Sequence, residues 1–364
     1  MGRHRLSRMN LEEGITLNGS ILVTGGAGFI GSTLVRHLLD TTDARVVTLD
    51  ALTYAGSLAS LGTVLDDARH TFVQGDITDS DLVRRVFDEH APNAVLHLAA
   101  ESHVDRSIDG PSAFVDTNVV GTLTLLDAAR RAWRGRDNVR FVHVSTDEVF
   151  GSLAANDPPF MPGSCYDPRS PYAASKAASD HLARAWFHTY GLPVIVTNCS
   201  NNYGPRQHPE KLLPTIILRG ARGDKLPVYG DGDQIRDWLH VHDHARGIHL
   251  ALEHGTPGDT YLFGARNERT NLEVVTKVCS LLDDARADGA PHAERITHVA
   301  NRPGHDRRYA VDPSHAERAL DWKPEIPFDD GLASTVDWYL LNPTWVDAVR
   351  GTYDLTRQGL GTTK

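Results

Sequence analysis

The sequence predicts an α/β protein in which a doubly wound parallel sheet is followed by a smaller C-terminal α/β domain. Three observations carry that prediction. Between Ile21 and Asn201, short apolar runs alternate with longer amphipathic stretches. The apolar runs are continuous, as expected of strands covered on both faces. After Pro205 the pattern loosens into a mixture of helical and short strand-like segments.

The expected strands are 21–24, 45–50, 70–76, 94–100, 139–145 and 194–199. Helical periodicity fills the gaps at 32–40, 79–90, 114–132 and 172–190. Repeated strand–helix units of this kind imply right-handed crossovers and a parallel sheet. Beyond Pro205, 212–220 and 271–282 read as helices, and 225–229 and 260–263 as strands. Between the two most polar strand-and-helix features lies 152–171, where Pro158, Pro159, Pro162, Pro168 and Pro171 preclude regular structure. Long irregular loops in compact domains tend to be functional, so this one is expected to cover a ligand.

Bulk composition narrows the function. The chain has 364 residues, 40% apolar and 23% charged, with a net charge of −10. That charge argues against general nucleic-acid binding, which needs a basic face. Cys165, Cys199 and Cys279 are odd in number and lack metal-ligand spacing, which fits a reduced, cytoplasmic protein. No run is apolar and long enough to span a membrane. Residues 1–19 carry Arg3, Arg5 and Arg8 without an apolar stretch, and read as a disordered leader rather than a secretion signal.

The first strand runs into Val23-Thr24-Gly25-Gly26-Ala27-Gly28-Phe29-Ile30-Gly31. Gly25, Gly28 and Gly31 allow a tight turn and a close backbone approach to a pyrophosphate. The helix they open offers unpaired N–H groups to it. The next strand ends at Asp50, nineteen residues after Gly31. A carboxylate there accepts hydrogen bonds from ribose hydroxyls and repels a 2′-phosphate, so NAD is expected over NADP. Asp76, Ile77 and the strand end His97-Leu98-Ala99-Ala100-Glu101-Ser102 fall where ligands of such sheets bind. The fold is therefore expected to be Rossmann-type.

Val144-Ser145-Thr146-Asp147-Glu148 and Tyr172-Ala173-Ala174-Ser175-Lys176 carry the chemistry. Tyr172 and Lys176, at i and i+4, share a helix face. The ammonium and a cationic nicotinamide are expected to lower the phenol's pKa, so that it takes a proton from an alcohol as hydride leaves. Thr146 is placed to orient that alcohol. Asp147 and Glu148 exceed what alcohol oxidation needs. They suit removal of a proton α to a new ketone and protonation of a departing hydroxyl, one carboxyl neutral and one ionised. His240, His242 and His244 alternate as on a strand and are not expected to bind metal. No metal is expected, nor a catalytic role for Cys165.

The glycine motif, Asp50, HLAAES, STDEVFG, YAASK and Asn201-Asn202-Tyr203-Gly204-Pro205 resemble the extended short-chain dehydrogenase/reductases. Within these, the chain is similar to the dTDP-glucose 4,6-dehydratase family from about Ile21 to about Trp338. The resemblance implies a closed redox cycle. Tyr172 deprotonates the hydroxyl on sugar carbon 4 while hydride passes to NAD, Glu148 takes the proton on carbon 5, and Asp147 protonates the hydroxyl leaving carbon 6. Hydride then returns to carbon 6.

It also implies cofactor contacts at Phe29, Ile30, Asp50, Ala51, Leu52, Thr53, Asp76, Ile77, Leu98, Ala99, Ala100, Ser102, Thr117, Tyr172, Lys176 and Asn202. For the nucleotide sugar it implies Ser102, Thr146, Asn201, Lys211, Leu212, Pro227, Tyr229, Arg236, Asn271, Asn301, Arg302 and His305. Arg236 and Arg302 suit a diphosphate, and Tyr229 suits stacking on the base. The division that follows is a leader (1–19), a mainly NAD-binding part (20–204), a mainly sugar-nucleotide-binding part with segments returning to the first sheet (205–345), and a tail (346–364). Helices 114–132 and 172–190 are expected to form a homodimer interface.

Departures from the family pattern are Phe150 for a common Tyr, Asn198 for Arg, Asn301 for Asp, and a shortened 152–171 loop. Alternatives are a UDP- or CDP-sugar dehydratase, a 4-epimerase, a decarboxylase or a redox-inactive NAD-binding protein. A 4-epimerase needs Tyr172 and Lys176 but not both carboxyls.

Overall fold

The computed structural model describes residues 19–301 and 303–350. Its strands are β1 (Ser20–Thr24), β2 (Arg45–Asp50), β3 (His70–Gln74), β4 (Ala94–His97), β5 (Arg140–Thr146), β6 (Val194–Cys199), β7 (Asn201–Tyr203), β8 (Leu226–Tyr229), β9 (Ile235–His240), β10 (Thr260–Phe263), β11 (Glu268–Thr270) and β12 (Ile296–Val299). Seven of them form one sheet in the order β10-β6-β5-β4-β1-β2-β3. Every neighbouring pair in it is parallel.

Alternate residues of β1 explain the unbroken apolar runs. Ile21 and Val23 join one buried cluster with Leu34, Val35 and Leu38 of the Phe29–Thr41 helix. Leu22 joins another on the opposite face, with Val83, Val86, Leu125 and Leu126. With helices on both faces, neither set of side chains meets water, so no polar alternation is needed.

The direction change between β1 and β4 on one side and β2 on the other opens the crevice in which ligands of such sheets bind. Beyond it, β11-β9-β7 and β12-β8 make two small sheets. They enclose a separate apolar cluster with the Leu212–Ala221, Asn271–Ala285 and Phe328–Leu341 helices. Strand β10 leaves this lobe and pairs with β6 at the edge of the large sheet.

Several expectations need correction. Only His240 lies on a strand; its side chain accepts from the His242 amide and so caps the Val241–His254 helix that carries His242 and His244. The stretch expected as one helix at 114–132 is Pro111–Val115, a wider π turn at Asp116–Gly121, and Thr122–Ala132. The Pro343–Arg350 helix, which buries Trp345 and Val346, runs across the expected boundary between the second part and the tail. The leader, apart from Gly19, lies outside the described residues.

The loop 152–171 lies against the chain at 308–312. Leu153 N donates to Arg308 O (3.0 Å), Phe160 N to Ala310 O (2.9 Å), and Asp312 N to Phe160 O (2.8 Å). Phe160 stacks on Phe150, so the residue that departs from the family pattern fills the space beneath the loop.

Candidate active site

Six parallel strand ends and the loops after them line one cleft. Its rim begins with Gly25, Gly28, Phe29, Ile30 and Gly31, and continues with Asp50, Ala51 and Thr53, then Asp76 and Ile77. Leu98, Ala99, Ala100 and Ser102 follow, with Thr117 from the π turn. Thr146, Asp147, Glu148, Tyr172, Lys176, Asn201, Asn202 and Lys211 complete it.

The glycines are dictated by close packing. Gly25 has φ +71°, and a Cβ on it would lie 2.7 Å from Ala99 N. A Cβ on Gly31 would lie 2.1 Å from Gly25 O. The Phe29–Thr41 helix starts at Gly28 without a side-chain cap, leaving its first amides directed into the cleft's glycine turn.

Asp50 accepts from Ala27 N (2.9 Å) and Leu52 N (2.8 Å). Burial raises its pKa, opposed by those two amides. Leu52 is the one expected cofactor residue that does not line the cleft; its backbone takes φ 52° so that its amide turns back to Asp50.

Past β5 the backbone winds into a short 3₁₀ turn, Asp147–Phe150. Thr146 Oγ1 accepts from Glu148 N (3.2 Å) and donates to Asp147 Oδ1 (3.3 Å). Asp147 Oδ2 is buried with no hydrogen-bond partner among the described residues. Burial, then the Glu148 charge, drives the Asp147 pKa well above the carboxylate range, with Arg236 opposing. Burial and the neighbouring charge thus favour the neutral form of this carboxyl.

Tyr172 and Lys176 both face the cleft from the first turns of the Pro171–Tyr190 helix, which Ser170 caps and Pro171 opens. Lys176 Nζ donates to Val144 O (2.9 Å). The expected lowering of the phenol pKa is corrected here. Burial first, and then the Glu148 charge, raise it well above the usual value, and the Thr146 hydroxyl only partly offsets this. Burial also lowers the Lys176 pKa, with Asp180 opposing.

The residues present fit a dinucleotide. The cleft wall holds buried polar atoms, Ser145 Oγ, Ser200 Oγ and Asn201 Oδ1, that lack partners among the described residues. Buried polar groups are nearly always paired, so these await a ligand or water.

The comparisons with known proteins agree. The family model described as GDP-mannose 4,6 dehydratase matches residues 22–335. A dTDP-glucose 4,6-dehydratase of Escherichia coli K12 is 54% identical, over 91% of this chain and 95% of its own length. The chain belongs to the dTDP-glucose 4,6-dehydratase family. A Xanthomonas campestris member is 55% identical over 93% of this chain and 98% of its own. Among solved structures, the family's DesIV from Streptomyces venezuelae, with NAD and TYD bound, has a TM-score of 0.84. It is 47% identical and covers 91% of this chain and 99% of its own. A UDP-glucose 4-epimerase of Thermotoga maritima is more distant, at 27% identity and a TM-score of 0.79, covering 89% of this chain and 99% of its own.

Of the remaining residues carried over from the family resemblance, those described sit in the second lobe and do not line the cleft. Leu212 opens a helix, and Pro227 and Tyr229 lie on β8. Tyr229 donates to Asp105 Oδ2 (2.8 Å) and packs edge-on to His305, whose Nδ1 is 2.6 Å from Asn301 Oδ1. Asn271 Nδ2 reaches Gln234 Oε1 at 3.4 Å. Arg236 is buried, with Nη2 donating to Asp306 O (3.0 Å) and the guanidinium 4.3 Å from the Tyr309 ring centre. Arg302 lies outside the described residues.

Sequence reasoning missed Glu210, which lines the cleft beside Lys211. Its carboxylate lies 3.7 Å from His103 Nε2 and 3.8 Å from His208 Nδ1. Burial pushes its pKa up to about 7, against the pull of Lys211 and Arg106. The loop 152–171 contributes no residue to the cleft lining. Among the described residues, no cluster of metal-ligating side chains occurs and no helix is long and apolar enough to cross a membrane.

Proposed function

We propose that the protein is an NAD-dependent hydro-lyase that converts dTDP-glucose to dTDP-4-keto-6-deoxyglucose. The single observation that supports this most is one cleft holding the glycine turn, Asp50, the Tyr172–Lys176 pair and a neutral–ionisable pair, Asp147 and Glu148. Bound NAD, with its positively charged ring, accepts hydride from sugar carbon 4 and returns it to carbon 6, so none is consumed.

Tyr172 takes the proton of the carbon 4 hydroxyl, with Thr146 orienting that hydroxyl and the Lys176 ammonium favouring the phenolate. Glu148 takes the proton on carbon 5, which the new ketone has made acidic. Asp147, kept protonated by burial, gives its proton to the hydroxyl leaving carbon 6 as water. Glu148 then returns a proton to carbon 5, and the proton on Tyr172 restores that of Asp147 through solvent. The net change is loss of one water.

The glycine turn and helix amides hold the cofactor's pyrophosphate, and Asp50 its ribose. Asn201 and Lys211 in the cleft, with Tyr229, Arg236, Asn271, Asn301 and His305 of the second lobe, and Arg302, hold the nucleotide sugar. We place the protein in the cytoplasm as a homodimer joined through helices that carry the exposed apolar residues Val115, Val120, Leu123 and Tyr190.

The test is incubation with dTDP-glucose and NAD, following the alkaline absorbance of the 4-keto product, repeated with UDP- and CDP-glucose. Deuterium placed on carbon 4 should reappear on carbon 6 of the product. Its loss to solvent would contradict the cycle.

A further inference from the structure

Behind the cleft, on the side of the Pro171–Tyr190 helix turned toward β5 and β6, lies a buried carboxylate that the reaction scheme does not use. Asp180 is 0% exposed. Its Oδ1 lies 3.0 Å from His143 Nε2 of β5. Its Oδ2 accepts from Tyr166 OH (2.7 Å) and from Asn198 Nδ2 of β6 (3.4 Å). The same Asn198 Nδ2 donates to Thr146 O (2.9 Å), so the carboxylate is linked by one side chain to the strand end that carries the catalytic turn.

Asp180 follows Lys176 by four residues, and on a helix that spacing places both on one face. Lys176 is buried too, at 4% exposed, and among the described residues its direct hydrogen-bond partner is a neutral carbonyl, Val144 O. An ammonium taken out of water loses several kcal/mol of hydration unless a negative charge accompanies it. Among the described residues, the groups that favour the charged lysine are Asp180 and Cys199, and burial raises the Cys199 thiol so that it stays neutral. That leaves Asp180.

The other groups around the carboxylate do not displace this pairing. His143 is held neutral by burial and by Lys176, so it donates from Nε2 without adding charge. His97, its neighbour at 5.3 Å between ring centres, is held neutral in the same way. Arg184 reaches Tyr166 OH (3.0 Å) and Thr260 Oγ1 (3.2 Å) and thus stands one hydrogen bond away. Burial keeps Tyr166 a phenol.

We propose that Asp180 is a positioning residue of the dehydration: the buried counter-charge one helical turn beyond Lys176 that keeps this ammonium charged, while tying β5 and β6 together beneath Thr146. This rests on the role given to Lys176 above. The carboxylate touches neither sugar nor cofactor and acts through the lysine.

The test is the pH profile of kcat for dTDP-glucose in the NAD-loaded enzyme. Activity that needs a charged Lys176 falls as pH rises through the lysine's pKa. Asp180→Asn should move that alkaline limb down by about one pH unit or more, about tenfold in kcat on the limb, with KM within about twofold. Asp180→Ser, which removes the charge but leaves a hydroxyl, reads the same property should the Asn variant not fold. Asp180→Glu, which keeps the charge, should restore the limb. His143→Gln disturbs the same cluster with the charge intact, and should lower stability while leaving the limb in place.

An unmoved limb in both neutral variants overturns the proposal. So does a limb that moves as far in His143→Gln, since a general loosening of the cluster would then suffice. A wild-type enzyme that does not turn over dTDP-glucose refutes the functional reading instead, which separates the two failures.

Discussion

Two carboxyls on either side of the catalytic strand end, Asp147 and Asp180, are 2% and 0% exposed and yet are driven in opposite directions. Burial pushes both pKa values up. At Asp147 one weak hydroxyl contact and the Glu148 charge leave burial in command, and the group stays neutral. At Asp180, donation from His143, the Lys176 charge and donation from Tyr166 overcome burial and hold the pKa below the usual carboxylate value. The donors and the neighbouring charges, not the depth, decide the charge. The poorly solvated carboxyl is left with a proton to give; the well-solvated one supplies a fixed negative charge.

The largest expected effect comes from the first of these regions. Asp147→Asn with Glu148→Gln should let reduced cofactor build up on adding dTDP-glucose while cutting product formation by ~10²–10⁴-fold. Thermal stability should not fall, because the buried Asp147 carboxyl accepts only one long hydrogen bond, from the Thr146 hydroxyl, among the described residues. Parallel NADH absorbance and keto-sugar assays check this.

Asp180→Ala should behave oppositely. Its donors would lose their acceptor and Lys176 its counter-charge, costing ~3–5 kcal/mol in urea unfolding. A loss under about 1 kcal/mol would break the contrast, since the ordinary hydrogen bond alone contributes that much.

Glu210 tests the same rule at an intermediate site. Its folded pKa, about 7, lies above the value of 4.5 for a free carboxylate, so the native state binds more protons than the unfolded one between these pH values. Stability therefore falls as pH rises from about 4.5 to about 7 and stays reduced above it. Glu210→Gln should abolish that slope, gaining at most about 3 kcal/mol at pH 8 and nothing at pH 4. Melting curves across pH decide it. The smallest change is Tyr166→Phe, which removes one donor from Asp180 and should cost about 1 kcal/mol.

The parallel sheet was readable from the sequence because strands packed on both faces leave continuous apolar runs, and because the glycine turn is fixed by backbone contacts with Ala99 and its own residues. The reactive pairs were readable because each sits within five residues on one element. The second lobe was less so. Strand β8 pairs with β12, from Leu226 to Ile296, and no local pattern announces a partner that far along the chain. Tyr229 and Asp105 meet across the two halves for the same reason. Glu210 stands beside Lys211 and so looks like solvated charge, although the fold buries it. The histidine alternation misled because His240 ends a strand and caps a helix at once, so half of the apparent strand period belongs to the next element.

The edge strand Thr260–Phe263 carries a practical consequence. It lies in the middle of the second half of the chain yet completes the first half's sheet. No single cut after Gly204 can then yield two self-sufficient fragments. A C-terminally truncated piece would expose the open rim of β6 and the apolar faces of Tyr261 and Phe263's neighbours, inviting precipitation, while the complementary piece would carry an orphan segment. Engineered split versions of this enzyme should therefore need both pieces produced together.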